Sequence, residues 1–288
     1  MKKFIVTEVF GNTIQGEGKY MGKPSIFVRF FGCTLKCPGF SMPRGQHTHE
    51  VEEIVKTLNN YKDEDLKKLP LAKTGCDSYP AWHPACRRFS KEYEPDELSK
   101  IIKNLVPKEA LICDYHIVFT GGEPLLYQEL LPILMRYLCV YGFTNYTFET
   151  NGTVGLKPDI IKELNTLVKD YGIEITWSCS PKLSIAGYNS DKTLFPKFVK
   201  TFNKVKDSNL YFKYVIRDKQ DLQEVEKFTE AYIYADVAWE ETYLMPEGGT
   251  VCKETSLTEK EVANLCIQYG YRFSPRLHLA LFGNKWGK

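Results

Sequence analysis

A chain of 288 residues, 43% of them hydrophobic, is long enough to bury one large α/β core or two smaller ones. A net charge of +2 argues against a strongly basic nucleic-acid surface, and the lack of any run of about 18 apolar residues argues against a membrane span. The start, MKKFIVTEVFGNT, has no signal-peptide core, and the nine cysteines read as reduced thiols and metal ligands of a soluble, cytoplasmic protein rather than as a disulfide framework.

In chain order, Phe4–Val9 and Ser25–Phe31 are expected to pair as strands across the glycine-rich turn GNTIQGEGKYMGK. The stretch SIFVRFF is apolar on both faces, so Arg29 is either a charge set into an apolar strand or a solvated arginine on an edge strand. This strand leads into FGCTLKC. There Cys33 and Cys37, with three residues between them on a loop, can aim two thiolates at one point, which suits an iron–sulfur cluster.

A cluster with one iron open for ligand chemistry needs a third thiolate. The C-x3-C-x2-C position for it holds Phe40, and the next cysteines are Cys76 and Cys86. Residues 40–75 read as an insertion, with a polar turn (PRGQHTHE), a short amphipathic helix over Val51–Leu58 and a charged tail (KDEDLKK). Lengthening a loop costs only about 0.6 kcal/mol per doubling. Excising the segment joins FGCTLKCPG to CDSYPAW, which restores the three-cysteine spacing with Asp77 and the Ser78 hydroxyl behind it.

After Cys86 helices and strands alternate. Helices are expected at Pro95–Val106, Leu125–Val140, Pro158–Tyr171, Leu194–Val205 and Gln220–Tyr232, and strands at His116–Thr120, Tyr146–Glu149, Ile173–Cys179, Leu210–Ile216 and Val237–Leu244. Strands joined through helices pair in parallel, giving an α/β sheet or barrel with its functional loops at the carboxyl ends. The remaining cysteines, Cys113, Cys139, Cys179, Cys252 and Cys266, sit mostly in apolar stretches as small hydrophobes.

Four short stretches fall after strands. In Thr120-Gly121-Gly122-Glu123-Pro124 the glycines allow close backbone approach, and Glu123 can accept hydrogen bonds from an ammonium or hydroxyl; an ordinary strand-to-helix turn explains the stretch equally well. Glu149-Thr150-Asn151-Gly152 offers a carboxylate, a hydroxyl and an amide, or is a plain Asn-Gly turn. Ser180-Pro181-Lys182 brings a hydroxyl and a cation, or is a surface turn. Ser274-Pro275-Arg276-Leu277-His278 leads into LALFGNKWGK, expected to be an apolar strand in which His278 is a satisfied core histidine.

Taken together, TIQGEGKYMGKPSIFVRFFGC, CDSYPAW, FTGGEP, ETNGT and CSPK resemble the 7-carboxy-7-deazaguanine synthases of the radical S-adenosylmethionine superfamily, in order and spacing, over nearly all of the chain outside the insertion. The resemblance implies a partial (β/α) barrel of the radical S-adenosylmethionine type, a single domain over 1–288 with the insertion at about 40–75 in its cluster-binding loop. It implies a [4Fe–4S] cluster on Cys33, Cys37 and Cys76, whose open iron binds S-adenosylmethionine. Substrate would be bound by Ile14, Gln15, Gly16, Arg29 and Thr120. S-adenosylmethionine would be held by Gly122, Glu149, Thr150, Asn151, Ser180, Pro181, Lys182 and Leu183, and Mg²⁺ by Ser78, where the family has a threonine.

The implied reaction is the radical ring contraction of 6-carboxy-5,6,7,8-tetrahydropterin to 7-carboxy-7-deazaguanine with loss of ammonia, in queuosine and 7-deazapurine biosynthesis. A flavodoxin or ferredoxin would be the electron donor and a homodimer the assembly, with no membrane or direct nucleic-acid partner. The displaced third cysteine, the serine at 78, the PGFSMPRG loop and the ending GNKWGK depart from the family pattern. Two other readings are an activase that generates a radical on a partner protein, and a non-enzymatic zinc module on Cys33, Cys37, Cys76 and Cys86.

Overall fold

The computed structural model describes residues 2–248 and 257–287. Its centre is a mixed, mostly parallel sheet of nine strands: β1 (Phe4–Ile14), β2 (Pro24–Phe30), β3 (Lys91–Tyr93), β4 (His116–Gly121), β5 (Asn145–Thr150), β6 (Glu174–Cys179), β7 (Ser208–Ile216), β8 (Thr242–Pro246) and β9 (Arg272–Phe273). The order is β3-β1-β2-β4-β5-β6-β7-β8-β9, so the sheet is open. β1 runs antiparallel to β2 and β3, and every pairing from β2 to β9 is parallel. The helices are α1 (Glu50–Lys56), α2 (Pro95–Lys103), α3 (Leu131–Tyr141), α4 (Pro158–Tyr171), α5 (Pro196–Val199), α6 (Lys219–Tyr234), α7 (Glu259–Tyr269) and α8 (Leu277–Phe282). Among the described residues none is long and apolar enough to cross a membrane.

Alternation along each strand decides which side chains meet the helices. A run of rings, Phe30, Phe119, Phe148, Trp177 and Phe202, crosses from β2 to the turn after α5, with neighbouring centroids 4.7–6.0 Å apart. The alternate residues point to the other face. Arg29 pairs with Thr120 and Glu149 with Ser178 in the ladders, so polar groups line up across the sheet near its carboxyl edge.

Most expected elements are found, with informative shifts. β1 runs on to Ile14 through two register shifts, carrying the chain into the expected turn. The helix expected over Leu125–Val140 is a 3-10 turn at Pro124–Tyr127 followed by α3, and that over Leu194–Val205 is the short α5 and a 3-10 turn at Phe202–Lys204. β3, α7 and β9 were not expected, and β8 begins later than Val237. The strand expected in LALFGNKWGK is instead α8. The Leu277 N–H donates to the Gly16 carbonyl, 2.9 Å away, and the chain then coils on itself rather than pairing with β9. Cys113 is exposed, against expectation, and Cys252 lies outside the described residues; the described cysteines are all free.

The inserted segment builds an apolar cluster of its own from Val51, Ile54, Leu58, Leu66 and Leu69. The cluster extends past residue 75 to take in Tyr79, Cys86 and Phe89, with Trp286 packed against it.

Candidate active site

At the carboxyl ends of the parallel strands lies a cavity of about 340 Å³. Of the residues that the resemblance assigns to cluster, cofactor, metal and substrate, all but Gly16, Pro181 and Leu183 line it. Gly16 lies just behind, because the His278 imidazole takes the space of a side chain: a Cβ there would come 2.0 Å from Nδ1. Leu183 is buried in the main core.

The cysteine loop is shaped by the Gly-Gly turn after β4. A Cβ on Gly122 would lie 1.9 Å from the Gly32 carbonyl oxygen, and the Gly122 and Glu123 N–H groups donate to the carbonyls of Phe30 and Gly32. The close approach that these glycines permit is therefore to the loop that carries Cys33. Glu123 is fully buried and does not line the cavity. It accepts from the Thr150 hydroxyl (2.8 Å) and the N–H groups of Asn151 (2.8 Å) and Leu125 (3.1 Å), tying TGGEP to ETNG. Burial pushes its carboxyl up to about 7 against the pull of those donors.

Cys33, Cys37 and Cys76 share a small apolar cluster with Leu35, Phe40, Ala186 and Tyr188. Cys37 takes a left-handed backbone (φ 49°), and the Tyr188 hydroxyl accepts from the N–H groups of Lys36 and Cys37. Cys76 reaches this wall because the insertion folds back: Gly75 N–H donates to Phe40 O (2.7 Å) and Thr48 N–H to Pro38 O (2.9 Å). Burial pushes the Cys76 thiol up to about 12 and the Cys37 thiol well above its usual value, and the three sulfurs repel one another further. Cys86 does not line the cavity and is fully buried in the inserted segment's cluster. Among the described residues no three or more His, Cys, Asp or Glu side chains converge as they would on a single ion. A zinc site on Cys33, Cys37, Cys76 and Cys86 is therefore not assembled, Cys86 lying in a different cluster from the other three.

The insertion is latched over this wall. Arg44 binds both oxygens of Asp218 (3.0 Å each), Asp221 (2.7 Å) and Ser184 (3.1 Å). The buried Arg217–Glu247 pair holds the same loop through Met42 O and Ser41 N–H.

Across the cavity Glu149 accepts from Thr120 (2.9 Å) and Gln15 (3.1 Å). Arg29 sits beside Glu8 (3.8 Å) and donates through Nη1 to Ser78 (2.9 Å), whose hydroxyl in turn reaches Asp77 (3.2 Å). It is therefore a cavity residue between β1 and β4, not an edge-strand arginine.

The sequence reading missed Glu17, Lys213 and Arg276, and placed His278 in the core; all four line the cavity. The lysine interrupting the apolar YFKYVI of β7 is the same signal that singled out Arg29. Lys213 donates to Glu17, with Arg276 3.7 Å from the other carboxylate oxygen. Burial would raise the Glu17 pKa, but Lys213 and then Arg276 overcome it and hold it at about 2.

A group whose folded pKa is depressed contributes stability above its unfolded pKa and loses it as pH falls. Glu17 is thus expected to contribute roughly 2–3 kcal/mol at neutral pH, lost between about pH 4.5 and pH 2. Denaturant unfolding of parent and Glu17→Gln across that range checks it: the parent alone should show this part of the acid loss. Parallel pH profiles for the two proteins would remove it.

No family model matches the chain. Over 97% of its length it is similar, at 28% identity, to a 7-carboxy-7-deazaguanine synthase of Halobacterium salinarum, covering 90% of that protein. It is 28% identical to the protein of the same name from Pyrobaculum aerophilum (98% of this chain, 96% of the relative) and 28% identical to that of Aquifex aeolicus (95% and 91%). The resemblance carried by the motifs therefore extends along nearly the whole chain, in archaeal and bacterial relatives alike.

Proposed function

We propose that the chain is a 7-carboxy-7-deazaguanine synthase, a carbon–nitrogen lyase that contracts 6-carboxy-5,6,7,8-tetrahydropterin to 7-carboxy-7-deazaguanine with loss of ammonia. Likeness to enzymes of that name over nearly the full chain supports it. The single observation that carries it is geometric. Cys33, Cys37 and the distant Cys76 line one cavity that also presents Arg29, Ser78, Thr120 and Glu149.

The donor set fits a [4Fe–4S] cluster. Three thiols share one wall of the cavity, and among the described residues no fourth cysteine joins them there. Cluster and S-adenosylmethionine together supply a hydrogen-abstracting radical. The protein's part is to hold and to shield. Leu35 N–H (3.4 Å) and Asn151 Nδ2 (3.7 Å) donate to the Cys33 sulfur, and Lys182, bonded to Ser180 (2.9 Å), favours the thiolate of Cys37. Gly122, Glu149, Thr150, Asn151, Ser180 and Lys182 face the cavity where S-adenosylmethionine would lie, while Pro181 and Leu183 are buried and do not line it. Arg29, Thr120 and the Ile14–Gly16 segment receive the pterin, the guanidinium fork meeting its carboxylate. Ser78 Oγ keeps a lone pair after accepting from Arg29, and with substrate and water oxygens would hold Mg²⁺.

On this reading the open sheet is a partial barrel of the radical S-adenosylmethionine type, one domain with an inserted segment. The protein works in the cytoplasm as a homodimer and takes its electron from a flavodoxin or ferredoxin. Anaerobic reconstitution with iron and sulfide should give a brown protein that converts the carboxypterin with release of ammonia. Zinc without sulfide, or S-adenosylmethionine cleavage that never consumes pterin, would overturn the reading; the second result would favour the activase.

A further inference from the structure

α8 carries His278 and Leu279 into the cavity, and Asn284 follows it there. Yet α8 is six residues long, buries none of them fully, and leaves Leu281 57% exposed. A helix this short has little stability of its own, so its place depends on contacts with the rest of the fold, among them those at its two ends. At the near end Leu277 N–H bonds to Gly16 O. At the far end Trp286 donates through Nε1 to Leu69 O (2.9 Å), meets the Tyr79 ring edge-on (6.2 Å, 77°) and packs on the apolar cluster of the inserted segment. Gly287 then passes Glu8 and Lys67 so closely that a Cβ would lie 3.1 Å from the carboxylate. Tyr79 follows directly on Ser78, and its hydroxyl bonds Pro70 O (2.8 Å) within the insertion.

We infer that Trp286 is a positioning residue for the substrate. It anchors the C-terminal segment in the core of the inserted segment, so that the body delivering Cys76 and Ser78 also holds the cavity wall made by His278, Leu279 and Asn284. Two departures from the family pattern, the inserted segment and the GNKWGK ending, are on this account one device. Each supplies what the other lacks: the tail buries none of its α8 residues fully, and the inserted cluster has a flank for the indole to cover. His278 and Asn284 offer the donors and acceptors that a carboxypterin's ring edge and carboxylate require.

The inference rests on the pterin reading above, and its test separates the two. Trp286→Ala should raise the KM for the carboxypterin about tenfold or more, while iron content and pterin-free cleavage of S-adenosylmethionine stay within about twofold of parent. Trp286→Phe, which keeps the ring and loses the N–H, should recover most of the loss. Without cofactors or substrate, hydrogen exchange over residues 277–287 should speed by about tenfold in Trp286→Ala, with β4–β7 unchanged. Unchanged exchange in the tail overturns the anchoring. A loosened tail with an unchanged KM overturns the positioning role, and loss of iron alongside the KM effect makes Trp286 a support of the inserted core instead. A parent protein that never turns over pterin defeats the functional reading, while the exchange comparison still decides the anchor.

Discussion

Cys76→Ala is expected to strip the iron from the reconstituted protein and reduce turnover to background, whereas Cys86→Ala leaves iron content near that of the parent. Both are cysteines beyond the insertion, and spacing alone admits either. They differ in surroundings. Cys76 stands in the thiol wall with Cys33 and Cys37, held there by the Gly75–Phe40 backbone bond. Cys86 is fully buried among Leu58, Tyr79 and Phe89. A cluster held by two thiolates instead of three loses the ligand field that retains it. Removing a buried thiol from a small apolar cluster costs only about 1 kcal/mol of packing. Iron and sulfide analysis of both variants, alongside an unfolding curve, is the measurement. Iron lost from the Cys86 variant and retained in the Cys76 variant would mean that the wrong cysteine has been matched across the insertion.

Arg29→Lys is expected to raise the KM for the carboxypterin about 10- to 100-fold while pterin-free cleavage of S-adenosylmethionine stays near the parent rate. A carboxylate taken from water into a closed site costs several kcal/mol unless a donor meets it. A charge-assisted bond of the kind lost here contributes about 1.5–3 kcal/mol. Lysine preserves the positive charge beside Glu8, whose buried carboxylate has no hydrogen-bond partner, but it cannot bridge Ser78 and a ligand at once as the guanidinium fork does. Alanine would be the wrong probe, since removing the partner of a buried charge destabilises the fold by about 3–5 kcal/mol. If both activities collapse in the lysine variant, Arg29 supports the fold or the cluster loop. If neither changes, it has no part in substrate binding.

Local chemistry was readable wherever a few neighbouring residues suffice to determine it. α4 starts at Pro158, whose missing N–H is harmless in a first turn, and stops at Gly172, which adopts the left-handed cap (φ 62°), so its bounds followed from the sequence alone. The same holds for the cysteine pair on a loop after a strand, whereas a charge set into an apolar strand left Arg29 between two readings and Lys213 unnoticed. The sequence Asp218-Lys219-Gln220-Asp221 spells a capping box for α6. That both carboxylates also receive Arg44, from a loop 174 and 177 residues earlier, depends on how the insertion folds against the sheet.

What the sequence by itself determined was the alternation of strands and helices, the cysteine loop and the polar turns at the strand ends, because capping, turn geometry and periodicity act over a few residues. What only the tertiary structure decided was which distant groups share the cavity. Glu17 and Lys213 are 196 residues apart, and Trp286 and Leu69 are 217 apart. The C-terminal stretch alternates leucines as a strand would, yet forms α8, since its backbone partner is Gly16 and its side-chain anchor lies in the inserted segment. Such contacts arise from sheet order and from the packing of one apolar cluster on another, and no local pattern encodes them.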